Sequence, residues 1–249
     1  MHLAPLKFLT TFGTSLNRDV KSNDGLRRLP ENFIYDLINY HIVNTVPAYL
    51  IGIDPPEDLK KEIYRLKNRV LEVCGEQQQV NEPPHCTFVV NNFSGEKEID
   101  ETLRKLVQGI SPFYVDVNGI TYFPPEQSGF YMVHASIRKT GELEKLQKRI
   151  VTDTSGFRQG SLLQEYLKTN VPAYKCMPEE LANLERYGFP YVGKNWKPHI
   201  SIAILDTEAF DKVGEELTKT ELNYRFFLRE IVLFGYENKW KPLRTYRFE

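Results

Sequence analysis

Cysteine is scarce in this chain: Cys74, Cys86 and Cys176 are the only three in 249 residues. Their number is odd and their spacing wide, which excludes both the paired ligands of a zinc ribbon and the even framework of a disulfide scaffold. No apolar run approaches the ~20 residues of a membrane span. Nor is there an excess of one charge: 32 Lys+Arg against 33 Asp+Glu leaves a formal net charge of −1. That argues against a protein that coats nucleic acid through bulk charge, which needs a concentrated basic surface, but it leaves room for a local phosphate site. The opening Met1-His2-Leu3-Ala4-Pro5-Leu6-Lys7 lacks the basic start of a secretory signal. A soluble, reducing, cytoplasmic setting is the expectation.

Histidine is also rare, with five in all, yet two of them share a context. Pro84-His85-Cys86-Thr87 precedes Phe88-Val89-Val90, and Pro198-His199-Ile200-Ser201 precedes Ile202-Ala203-Ile204. Side chains alternate along a strand, so each phrase sets an imidazole and a hydroxyl on one face while Cys86 or Ile200 points to the other. A bare His-x-(Thr/Ser) is weak evidence. Ser and Thr make up roughly a tenth of residues, so about half a match arises by chance. His134-Ala135-Ser136 is a third match, without the leading proline.

The repeated surroundings carry more weight. Upstream of His85 lie a strand at 47–53 and a helix at 57–74, with Leu59, Ile63, Leu66, Val70 and Val73 at helical spacing. Upstream of His199 lie a strand at 129–137 and a helix bearing Leu143, Leu146 and Ile150. Downstream, a helix at 96–110 and a strand at 113–117 match a helix at 207–219 and a strand at 224–234. Both halves read strand, helix, His-bearing strand, helix, strand, which is a duplication. Related halves packed about an approximate two-fold axis bring His85 and His199 to one cleft. Residues 1–249 are thus expected to form a single bilobal domain. Its expected parts are an N-terminal extension at 1–46, a first lobe at 47–128 and a second lobe at 129–249. The extension contains a polar stretch at 17–28 and a short helix at 31–40. An insertion at 152–197 holds a helix at 179–187 closed by Gly188; just before the second motif, it is placed to be a lid or a substrate-selecting wall.

The paired motifs in duplicated context resemble those of the two-histidine (2H) phosphoesterase superfamily, which includes 2′-5′ RNA ligase-like proteins and cyclic nucleotide phosphodiesterases. The resemblance covers about residues 47–249. The segment Glu185-Arg186-Tyr187-Gly188-Phe189-Pro190-Tyr191-Val192 also looks like the region before the second motif in a phosphonate-operon-associated branch. The resemblance implies an α+β fold, with two antiparallel-rich sheets around a central cleft and helices outside. It makes His85 and His199 the catalytic pair, with Thr87 and Ser201 as phosphate-binding hydroxyls.

Chemistry agrees with those roles. Imidazole moves protons near neutral pH. Two of them across a phosphodiester can act as general base and general acid, and hydroxyls can donate to the oxygens on which charge builds. No metal and no cofactor is implied. A lone histidine on an apolar strand is more often structural, and a strand hydroxyl can simply bond backbone; the repeated context tips both pairs toward function. His134 reads as structural. Trp196, between Lys194 and Lys197, could stack a base while a cation holds phosphate, or plug the core. Trp196, Tyr191 and Lys197 are candidate substrate contacts, whereas Tyr131, Tyr236 and Trp240 read as packing, Arg244 and Arg247 as exposed strand charges, and Cys86 as facing away from the site.

The leading expectation is a metal-independent phosphodiesterase acting on a cyclic phosphate or a 2′-linked nucleotide or RNA. Its partners would be a nucleotide, a short oligonucleotide or RNA end, or a small cyclic-phosphate metabolite, with no membrane; the sequence carries no signal for oligomeric state. The alternative is a non-catalytic module that binds a nucleotide or RNA end in the same fold. A metal-dependent hydrolase built from His85, His199 and a carboxylate lacks any His-x-x-x-His pair.

Overall fold

The computed structural model describes residues 48–125, 129–159 and 177–249, all within the unit 31–249. The expected polar stretch at 17–28, the helix at 31–40 and part of the insertion lie outside the described residues. In chain order the elements are β1 (Ala48–Ile53), α1 (Glu57–Cys74), β2 (Cys86–Asn92), α2 (Glu96–Val107), β3 (Phe113–Phe123), β4 (Tyr131–Ile137) and α3 (Gly141–Thr154). They continue with α4 (Pro178–Tyr187), β5 (His199–Leu205), α5 (Thr207–Lys219), β6 (Asn223–Leu228), β7 (Glu230–Tyr236) and β8 (Trp240–Arg247).

The helices start and stop where local chemistry dictates. α1 follows Pro56 and opens with Glu57 and Asp58; it ends at Gly75, whose φ of 72° suits glycine and whose N–H bonds the Leu71 carbonyl. Thr140 and Asp206 cap α3 and α5 by accepting from Leu143 N (3.3 Å) and Ala209 N (2.8 Å). α4 has Pro178 at its start and closes on Gly188, left-handed at φ 70°.

Two four-stranded antiparallel sheets result, in the orders β2-β1-β7-β8 and β5-β4-β3-β6. The fold is α+β, as expected, but the sheets do not follow the two sequence halves. β3, the last strand of the first half, pairs with β4, and β7 pairs with β1. The expected single strand at 224–234 is two strands, separated at Arg229 and assigned to different sheets. The exchange is symmetric: mapping β2, β1 and β7 onto β5, β4 and β3 superposes the two orders. Helices cross over likewise, α1 packing on α5 and α2 on α3, and Arg69 bonds Glu216 through Nε (2.7 Å) and Nη2 (2.9 Å) across the first pair. One continuous core lies between helices and sheets, including Ile63, Phe88, Val133, Ile150, Ile202 and Leu233.

The motif strands β2 and β5 are both edge strands, and covered edges avoid unwanted pairing. Gln78 bridges Ile204 on the β5 edge. On the β2 edge, Ser94 N bonds Phe157 O and Gln159 N bonds Asn92 O, each at 2.7 Å. Both motif strands also bulge immediately after the hydroxyl residue. Opposite β1 the register steps from Val89 to Thr87, skipping Phe88; opposite β4 it steps from Ala203 to Ser201, skipping Ile202. A bulge re-aims the side chains beside it, and here it does so at equivalent places. Gly52 sits opposite Thr87, and a Cβ there would lie 2.4 Å from the Cys86 carbonyl oxygen. Gly52→Ala is therefore expected to push β1 from the first motif and cost about 1–3 kcal/mol, read as a lowered denaturant midpoint with unchanged m.

Candidate active site

Each motif histidine is fixed in the same way. His85 Nδ1 lies 2.8 Å from the Pro83 carbonyl, and His199 Nδ1 lies 2.7 Å from the Lys197 carbonyl. A carbonyl only accepts, so Nδ1 carries the hydrogen and donates. In the neutral ring that leaves Nε2 with its lone pair available at the ring tip. The prolines suit this geometry, because Pro84 and Pro198 hold the residues before them extended. Both histidines, Thr87 and Ser201 are partly exposed, while Cys86 and Ile200 are fully buried. The alternation read from sequence is thus realised at both motifs.

The two edge strands meet through side chains between them. Trp196 Nε1 donates to the Thr87 carbonyl at 2.9 Å, and the Trp196 ring packs 5.5 Å from that of Phe88. Gln147, wholly buried, donates to the carbonyls of Phe88 (3.0 Å) and Tyr191 (2.9 Å) and accepts from Gly193 N (3.2 Å). Lys139 Nζ holds the same turn through the Gly193 and Lys194 carbonyls. Burial pushes the Cys86 thiol up to about 12, partly opposed by the backbone amide of His199 against it. The thiol is therefore inert.

Trp196 is 3% exposed. It braces the two motifs from the core side and offers no ring face to a base, which corrects the stacking role considered for it. Tyr191 is half-buried, with its ring edge-on to Phe189. Lys197 is exposed, its ammonium 5.4 Å from the centre of the Phe123 ring. Arg244 is engaged by Glu96 and Asp100, and Arg247 by Glu230, so neither is a free phosphate ligand.

Sequence reasoning did not single out Lys67 or Phe123, and it placed Trp240 in packing without assigning it to the site. Lys67 is 1% exposed. Its ammonium donates to the carbonyls of Gln79 and Glu82 and so holds the segment that enters β2. The available signal was a lysine beside the stripe Leu59, Ile63, Leu66 and Val70 of α1. Phe234 and Trp240, from the exchanged strands, lie 5.9 and 6.5 Å from the His85 ring; that contact depends on sheet order. Leu184 of α4 joins Leu50, Phe234 and Trp240 in a small buried apolar cluster, so the insertion packs against the residues that flank His85.

Electrostatics favour neutral rings at both motifs. Burial holds His85 down to about 4, aided by the charges of Lys67 and His199 and opposed by the Pro83 carbonyl. His199 is lowered by burial, opposed by the Lys197 carbonyl. Among the described residues no cluster of three or more His, Cys, Asp or Glu could hold a metal ion.

The sequence model of the 2′-5′ RNA ligase superfamily matches residues 55–240, most of the chain. The chain belongs to that superfamily. The resemblance to the 2H phosphoesterases drawn from the paired motifs is thereby borne out. Similar solved structures include TT0787 of Thermus thermophilus, at 15% identity and TM-score 0.49, covering 81% of this chain and 97% of that one. E. coli LigT complexed with 3′-AMP aligns at 13% identity and TM-score 0.47, covering 82% and 99%. Usb1 of Kluyveromyces marxianus aligns at 12% identity and TM-score 0.38, covering 75% and 92%. No curated protein matches the chain. Among the described residues no helix is long and apolar enough to cross a membrane.

The lowered histidines make a prediction about stability. An imidazole in the unfolded chain titrates near ~6.5, whereas His85 folded titrates near 4. Below the unfolded value the unfolded chain takes up protons that the folded state refuses. Stability is therefore full above pH ~6.5 and declines as pH falls toward 4. His85→Gln, neutral throughout, should flatten the fall of urea midpoint between pH 6.5 and 5. An unchanged slope would show that His85 is not held neutral by folding.

Proposed function

We propose that the protein is a metal-independent phosphodiesterase in which His85 and His199 exchange protons with a phosphodiester, while Thr87 and Ser201 donate to its non-bridging oxygens. The observation that carries this reading is the matched anchoring of the two rings. Each Nδ1–H is committed to a backbone carbonyl two residues upstream, so each Nε2 is committed to the substrate. One neutral Nε2 takes the proton from water or a ribose hydroxyl as it attacks phosphorus. The other, protonated, gives its proton to the departing oxygen. An anionic phosphoryl group between the rings favours the charged imidazole, and so offsets the burial that lowers both pKa values. Lys67 and Lys197 add positive charge that favours an anion.

The substrate class this reading supports is a cyclic phosphate or a 2′-linked nucleotide or RNA end, in a cytoplasmic setting. The test is hydrolysis of the four nucleoside 2′,3′-cyclic phosphates and of 2′-5′ oligoadenylate in excess chelator. Wild type should turn over at least one of them, and His85→Ala and His199→Ala should each lower its rate about 10²–10⁴-fold. Activity abolished by chelator sinks the metal-independent mechanism. Binding without turnover moves the assignment to a nucleotide-binding module.

A further inference from the structure

The third His-x-Ser phrase does not lie elsewhere in the fold. His134-Ala135-Ser136 is on β4, antiparallel to the second motif and in register with it. His134 pairs with Ser201, and Ser136 pairs with His199. Directly opposed residues of an antiparallel pair share a face, with Cβ atoms about 4.5–5.5 Å apart. Ala135 and Ile200, the intervening pair, are fully buried on the other face. Two imidazoles and two hydroxyls therefore alternate as a four-membered panel beside the cleft. The rings of His134 and His199 are 5.1 Å apart, and Phe123 packs against both, 4.1 Å from His134 and 5.1 Å from His199.

His134 is anchored like the motif histidines, with Nδ1 2.9 Å from the Met132 carbonyl. Nδ1 therefore donates, and Nε2 can only accept. The residue is 3% exposed; among the described residues Nε2 makes no hydrogen bond, and this ring tip is not wholly buried. Burial and the nearby His199 hold this ring at about 3, against the Met132 carbonyl, so it stays neutral. The fold itself does not call for a histidine here. Under the two-fold relation of the sheets, the position opposite Thr87 is Gly52. One half of the site thus leaves this place empty, and the other fills it with an acceptor.

We propose that His134 and Ser136 form a third His-x-Ser pair of the same cleft, His134 Nε2 accepting from the substrate hydroxyl that neighbours the phosphoryl group and Ser136 donating to a phosphoryl oxygen. The proposal rests on the phosphodiesterase reading and narrows its substrate. The ligand is a phosphate ester on a sugar that carries a free vicinal hydroxyl. A 2′-5′ linkage with its 3′-hydroxyl and the product of cyclic-phosphate opening both meet that description. An acceptor-only nitrogen suits a hydroxyl and repels an anionic oxygen, so the two members of the pair divide the ligand between them.

The experiment measures dissociation constants of 3′-AMP and 2′-deoxyadenosine 3′-phosphate by calorimetry on the full chain. Wild type, His134→Leu, His134→Asn, Ser136→Ala and His199→Ala are compared, with thermal midpoints alongside. Wild type should prefer 3′-AMP by about tenfold, the worth of one buried hydrogen bond. His134→Leu should erase that preference by weakening 3′-AMP alone, and His134→Asn, which keeps an acceptor, should retain part of it. Ser136→Ala should weaken both ligands by the same factor, about two- to tenfold. If His134→Leu does not fold, the wild-type preference and Ser136→Ala decide. Equal binding of both ligands by wild type, lost in His199→Ala, overturns this proposal and leaves the phosphodiesterase reading standing. So does a His134→Leu variant that weakens both ligands alike, or a Ser136→Ala variant that weakens neither. Binding of neither ligand by wild type overturns this proposal, while the phosphodiesterase reading stands or falls on the hydrolysis assay.

Discussion

A hydrogen bond from the Trp196 indole to the Thr87 carbonyl ties the two motifs into one site. β2 and β5 are edge strands of different sheets, so no ladder joins them. Their relative position is set instead by side chains reaching across, and Trp196 reaches from three residues before one histidine to two residues after the other. The bond also solves a local problem. A bulge leaves carbonyls out of the ladder, and a buried carbonyl without a donor costs about 1–3 kcal/mol. Trp196 satisfies Thr87 and Gln147 satisfies Phe88, so the groups that tolerate the bulge are those that align the motifs.

The same economy recurs in the histidines. Three rings, His85, His134 and His199, each place Nδ1 on the carbonyl two residues upstream. The backbone thereby selects the tautomer, without a carboxylate to do so. A carboxylate partner would stabilise the imidazolium and raise its pKa; a neutral carbonyl does so only weakly, and burial wins. Burial thus biases both motif rings toward the neutral form, and folding is weakened by acid. In the proposed mechanism an anion in the cleft favours protonation of one ring, which would couple the acid role to the presence of substrate.

Much of this was legible in the sequence. α1 and α5 begin and end where periodicity and capping place them, because the signals are local: Pro56 and Gly75 bound one, Asp206 opens the other. The motif strands were legible because the chemistry repeats. The exchange of β3 and β7 was not. Arg229 alone separates β6 from β7, and a single residue turning the chain from one sheet to the other leaves no break in β-propensity. Trp196 and Lys67 were obscured for a related reason. A tryptophan between lysines reads equally as a base stacker or a core plug, and a lysine on a helix reads as solvated, until the partner carbonyls from distant segments are known.

The strand exchange explains why duplication yields one site and not two. The first half keeps β1 and β2 in one sheet and sends β3 to the other; the second keeps β4, β5 and β6 and sends β7 and β8. Neither sheet is complete without the other half, and the helices pair across halves as well, α1 with α5 and α2 with α3. His85 is walled by Phe234 and Trp240, which come from the second half; His134 and His199 are flanked by Phe123, which comes from the first. Two-fold symmetry makes the rings equivalent in anchoring. The walls break that equivalence, with an apolar cluster on one side and the hydroxyl-bearing panel of β4 and β5 on the other. Under the proposed mechanism an asymmetric cleft would hold a phosphodiester in one orientation, and that orientation would make one of two chemically alike imidazoles the acid and the other the base.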